Sequence, residues 1–126
     1  MKAVIYVTKR VMYKWPQMYI DELVAKLQRR DYDVSVISDD TIRKIAKREI
    51  ESADLFIGVP NKFDELCDKA KRIRLLGATT EGEGVVSSVQ CAGCVENQGN
   101  PIDCMWSDEL CMYEITPNDI LEDACI

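Results

Sequence analysis

Two rhythms of apolar and polar positions run along the first 76 residues. Ala3-Val4-Ile5-Tyr6-Val7 is an unbroken apolar run of strand-forming type, which predicts a strand buried on both faces. Apolar residues then recur at Ile20, Leu23, Val24 and Leu27, the i, i+3, i+4, i+7 stripe of an amphipathic helix ending near Arg30, with Arg29 and Arg30 at the negative end of its dipole. Tyr32 to Ser38 predicts a second strand, and Asp39 or Asp40 an N-cap for a helix presenting Ile42, Ile45, Ala46 and Ile50 on one face. Asp54 to Pro60 predicts a third buried strand. Asn61 is placed to cap a third helix with Phe63, Leu66, Cys67 and Ala70 inward, and Ile73 to Ala78 predicts a fourth strand. Such alternation builds a parallel sheet covered by helices, so the fold expected is an α/β, Rossmann-like or flavodoxin-like three-layer sandwich.

The pattern changes at Gly77. Gly84 to Gln90 and Leu110 to Ile115 have strand composition around a Gly/Asn/Pro loop, and predict an antiparallel hairpin at the sheet edge or a cysteine-rich extension. Asn118 or Asp119 is placed to start a short final helix. At 126 residues one domain is expected, with a βαβαβαβ core over 1–76 and an extension over 77–126.

Charge sharpens that division. All 16 Lys and Arg lie between Lys2 and Arg74, against 12 Asp and Glu in residues 1–76, a balance of +4; residues 77–126 carry 10 acids and no base, a balance of −10. A net charge of −6 argues against general attraction to nucleic acid. The acidic segment is either one face of a self-neutralising domain or a contact surface for a protein partner or a second copy. The longest apolar runs fall far short of the ~20 residues that span a bilayer, and the start is too short before Thr8-Lys9-Arg10 for the apolar centre of a signal peptide, so no membrane association and a cytoplasmic location are expected.

Candidate chemistry lies at the carboxyl ends of the strands, where open α/β sheets bind ligands. That edge brings forward Thr8, Lys9, Arg10, Asp39 and Asn61: Lys9 or Arg10 to meet an anion, Asp39 to accept from a hydroxyl, or all of them as solvated loop residues and caps. Gly77 to Gly84 has glutamates among its glycines and a β-type run after it, and Gly-x-Gly-x-x-Gly does not follow the first strand, so no cofactor is implied. Without histidine the usual general base of a catalytic triad is missing, and no catalytic residue stands out.

Six cysteines are the remaining distinctive feature. Cys91, Cys94, Cys104 and Cys111 stand in the base-free acidic segment, an environment that keeps a thiol neutral and disfavours a redox pair. Structural disulfides within 91–111 are expected first; a zinc site of Cys91, Cys94, Cys104 and Cys111 and unbridged thiols are the alternatives, Cys104-x6-Cys111 being loose for a zinc knuckle.

Met1 to Ser38, a strand, a loop, an amphipathic helix and the strand "YDVSVIS", resembles the opening of the N-terminal half-domain of GT-B glycosyltransferases, with Trp15-Pro16-Gln17-Met18 where that family typically carries glycines. The resemblance implies the fold and, as one function, binding of a nucleotide or sugar nucleotide. Ala53 to Val85 is similar to the flavodoxin-like substrate domain of D-2-hydroxyacid dehydrogenases. In overall character the chain resembles orphan proteins of viruses that infect hyperthermophilic archaea, which implies a host-cytoplasmic location. The expectation drawn from all of this is a non-enzymatic or accessory α/β interaction domain; the alternative is a small nucleotide- or sugar-nucleotide-binding protein.

Overall fold

The computed structural model describes residues 1–8, 14–59, 61–76, 84–86 and 115–125. Within them the chain runs β1 (Lys2–Val7), α1 (Gln17–Arg29), β2 (Asp33–Ser38), α2 (Arg43–Glu51), β3 (Leu55–Gly58), one 3₁₀ turn (Asp64–Leu66), β4 (Lys71–Leu76), β5 (Gly84–Val86) and α3 (Pro117–Asp123). The strands form one sheet in the order β2-β1-β3-β4-β5, every pair parallel. This is the flavodoxin-like doubly wound order, with its reversal between β1 and β3.

β1 sits inside the sheet because its residues are apolar on both faces: Ala3, Val4 and Ile5 are all buried. The chain leaves β1 in one direction to reach β2 and returns in the other to reach β3, so right-handed crossovers place α1 and α2 on opposite faces. Ile20, Leu23 and Leu27 of α1 are buried, as the stripe predicts. α3 packs beside α1 and contributes Ile120 and Leu121 to the same core, joined by Ile115 and Ala124. Trp15, buried ahead of α1, donates its indole N–H to the Ile115 carbonyl at 2.7 Å and ties the two segments together.

Four local expectations are corrected. Helix α2 starts at Arg43 after Ile42, not from an Asp39 or Asp40 cap. Ser38 to Thr41 close their own turn instead, Thr41 N–H donating to the Ser38 carbonyl at 3.1 Å while Ser38 N–H donates to the Thr41 hydroxyl at 2.9 Å. As a result only Ala46 and Ile50 of the predicted inner face are buried, and Ile42 and Ile45 are exposed.

The third helix is a single 3₁₀ turn. Asn61 Oδ1 accepts from Phe63 N–H at 2.8 Å, and the Asp64 carboxylate accepts from Asn61 N–H at 3.1 Å. Arg74 of β4 holds that same carboxylate at 3.3 Å, and Cys67 then turns extended, which ends the winding. Of the predicted inner face, Phe63 alone is fully buried, and Leu66, Cys67 and Ala70 are partly buried against the core.

β5 extends the sheet as a parallel strand in register Arg74↔Gly84 to Leu76↔Val86, where an antiparallel hairpin is predicted. Residues 110–114, the hairpin's other half, and Cys91, Cys94, Cys104 and Cys111 lie outside the described residues, while Ile115 is a buried bend. α3 begins at Pro117, ahead of the predicted Asn118 or Asp119, because Thr116 caps it: Thr116 Oγ1 accepts from Asp119 N–H, and the Asp119 carboxylate accepts from Thr116 N–H at 2.9 Å.

Candidate functional site

The carboxyl ends of β1, β2 and β3 meet at the point where strand order reverses. Tyr6 and Thr8 rise from β1, Asp39 follows β2, and Gly58, Val59 and Asn61 follow β3. Gly58 is needed here: a Cβ on it would lie 2.8 Å from Tyr6 Cβ, so its absence lets the Tyr6 side chain cross the strand end. The Tyr6 ring stands edge-on to Phe63, with centroids 6.1 Å apart and planes at 74°.

The polar chemistry of this edge turns inward. Tyr6 donates its hydroxyl to Asp39 Oδ1, and Thr8 donates to Asp39 Oδ2 at 2.6 Å, so the Asp39 carboxylate receives a hydroxyl on each oxygen. Both donors are buried. Lys62 donates to the Asp39 carbonyl at 3.0 Å and sits 5.1 Å from the centre of the Phe63 ring. The Asn61 amide donates to the Val59 carbonyl at 2.7 Å and accepts from Phe63 N–H, completing a turn of its own.

Of the residues singled out in sequence, Thr8 and Asp39 are therefore brought together. Asn61 stands nearby and faces its own loop; Lys9 and Arg10 lie outside the described residues. The hydroxyl expected on Asp39 comes from the protein itself. Tyr6, Lys62 and Phe63 were missed, although a tyrosine inside an aliphatic strand is a signal, because a buried phenol needs an acceptor.

Among the described residues, space at this edge is small. The hollow bounded by Ile5, Thr8, Trp15, Ile20, Val59 and Leu75 holds about 10 Å³, room for one water molecule. A wider opening of about 250 Å³ lies at the opposite, amino end of the strands, where Glu51, Leu66, Asp68 and Lys69 line it.

Elsewhere the titratable groups serve the scaffold. Lys2 pairs with Glu49 and donates to Ser52 Oγ at 3.0 Å, and Ser35 donates to Glu49 at 3.1 Å, fastening α2 to β1 and β2. The Lys2 hydrogen bond is the main reason that the Glu49 carboxyl is held below its ordinary range; burial opposes it and Ser35 assists. Burial pushes the Cys67 thiol up, and that thiol contacts the Ala70 carbonyl at 3.2 Å. Cys125 is exposed, and both are unbridged. Among the described residues no group of three or more acids or cysteines is arranged to hold a metal ion, and no helix is long and apolar enough to cross a membrane.

Five large apolar residues are exposed among the described residues: Met1 just before β1, Met18 on α1, and three on the β2–α2 unit. Val36 is 51% exposed, Ile42 66% and Ile45 40%. The Ser35 side chain reaches Glu49 of α2, so Val36, next in the strand, projects on the α1 face, and Ile42 and Ile45 flank the same sheet edge from the other side. No family model, curated protein or solved structure matches this chain.

Proposed function

We propose that this chain is an accessory, non-enzymatic α/β domain that works by protein–protein contact, and that the β2–α2 flank is its contact surface. One observation carries the reading: Val36, Ile42 and Ile45 stand exposed around a sheet edge, while Thr8, Asp39 and Asn61 are engaged in hydrogen bonds within the protein. Exposed apolar residues on the two faces of an open strand edge favour association, because covering them removes apolar area from water. The carboxyl edge supports a ligand site less well, since the groups that would recognise a sugar or ribose hydroxyl already hold Tyr6, Thr8 and the Asn61 turn. The acidic segment 77–126 remains a second proposed contact region on its charge alone.

Photo-crosslinking tests the surface. A benzoylphenylalanine placed at position 36 is expected to give discrete crosslinked protein products in lysate of the producing cells. The same group at exposed Asp21 on α1 serves as the control. Equal or absent products from the two positions would overturn the reading.

A further inference from the structure

Resting on that reading, we infer that the partner of the β2 edge is a second copy of this chain, joined by antiparallel β2–β2 pairing about a two-fold axis at Ser35. The direction of the backbone groups decides the register. Asp33 N–H donates to the Met1 carbonyl at 2.8 Å, so Asp33, Ser35 and Ile37 turn their amides and carbonyls toward β1, and Val34, Val36 and Ser38 turn theirs outward. Ser38 is already covered, its N–H and carbonyl both bonded to Thr41. What the edge offers is Val34 and Val36, two donors and two acceptors.

An antiparallel pair bonds best when outward residues face one another and exchange both hydrogen bonds. Placing Val34 opposite the second copy's Val36, and Val36 opposite its Val34, uses both open residues of each copy and puts Ser35 on the axis. A shift that centres on Val36 would set Val34 against the occupied Ser38. The chosen register also puts Val34 and Val36 of the two copies side by side on one face, which covers the exposed Val36 side chain.

Charge agrees with self-pairing. The one charged residue of the strand, Asp33, falls opposite Ile37, so no like charges oppose each other within it. In an antiparallel pair the start of one β2 adjoins the end of the other. Exposed Arg29 and Arg30 precede the start, with exposed Asp31 after them, and exposed Asp40 follows the end, so the two arginines of each copy adjoin the acidic end of the other strand. Nor does the edge carry the devices that keep strands apart: β2 has no lysine, no proline and no bulge along six residues in continuous register with β1.

Sedimentation of the purified full chain over a wide concentration series tests this, with denaturing intact mass confirming that no covalent dimer is present. The wild type is expected to double in mass as concentration rises. Val36→Lys sets charge in the seam, and Val36→Pro removes an outward N–H that takes no part in the β1–β2 ladder; both are expected to stay monomeric with an unchanged far-UV spectrum. Met18→Lys, an exposed change on α1, is expected to dimerise as the wild type does. A wild type that is monomeric throughout, or Val36 variants that dimerise equally, would overturn self-pairing. The two readings separate at the crosslink: a product of foreign mass alone from position 36 removes the second copy and keeps the contact surface, whereas no product removes both.

Discussion

Asp39 shows how a residue placed for ligand chemistry is taken up by the scaffold. Two hydroxyls from the neighbouring strand, Tyr6 and Thr8, converge on its carboxylate, and together they fasten the end of β2 to the end of β1. Asp39→Asn replaces one of the accepting oxygens by a donor and leaves a buried hydroxyl without its acceptor. The expected cost is about 1–3 kcal/mol in urea unfolding. Sequence pattern identified Asp39 as an acceptor but not its donors, because Thr8 and Asp39 are separated by 31 positions and meet only through the parallel β1–β2 register.

Glu49 carries a pH signature at the same scale. Its folded pKa is depressed, so its stabilisation is present above the unfolded value and is lost as pH falls through the folded one. Glu49→Gln is expected to flatten the acid limb of the stability curve. The gap from wild type should be widest at neutral pH and close in strong acid, and a constant gap at every pH would contradict the assignment.

Among the elements, β1, β3 and the first helix were legible because their apolar pattern is their burial pattern: Ala3 to Tyr6, the Ile20-Leu23-Leu27 stripe and Leu55 to Gly58 all fall where the periodicity puts them. Short polar segments were not legible. Side chains there compete with the backbone ladder, as Asn61 and Asp64 do in ending a helix after one turn, and as Thr41 does in displacing the start of α2. Thr116 wins the last cap for the same kind of reason, since proline at the first helical position needs no N–H partner and leaves Thr116 and Asp119 to satisfy each other. Thr116→Ala is expected to cost about 1 kcal/mol in urea unfolding. Because α3 is held to Trp15 through Ile115, the loss should be visible in Trp15 fluorescence, read in a Trp106→Phe background, before the sheet melts.

For the whole molecule, the sequence indicated a three-layer α/β sandwich but not the order of its strands. That order is set by which apolar faces cover one another across the full sheet, and a single strand's composition does not encode its neighbour. Strand order is also what makes β2 an edge, and so turns Val36 from an apparent core position into an exposed one. The proposed mode of action follows from this position: a sheet whose carboxyl edge, among the described residues, is internally bonded at Tyr6, Thr8, Asp39 and Asn61, and whose β2 margin still offers two donors, two acceptors and an apolar side chain. Amide hydrogen exchange at Val34 and Val36 tests that most directly. At concentrations where the second copy is bound, both amides are predicted to exchange as slowly as Ile37, which is protected by β1, and to speed up on dilution. Free exchange at Val34 and Val36 at every concentration, with Ile37 protected, would contradict the account.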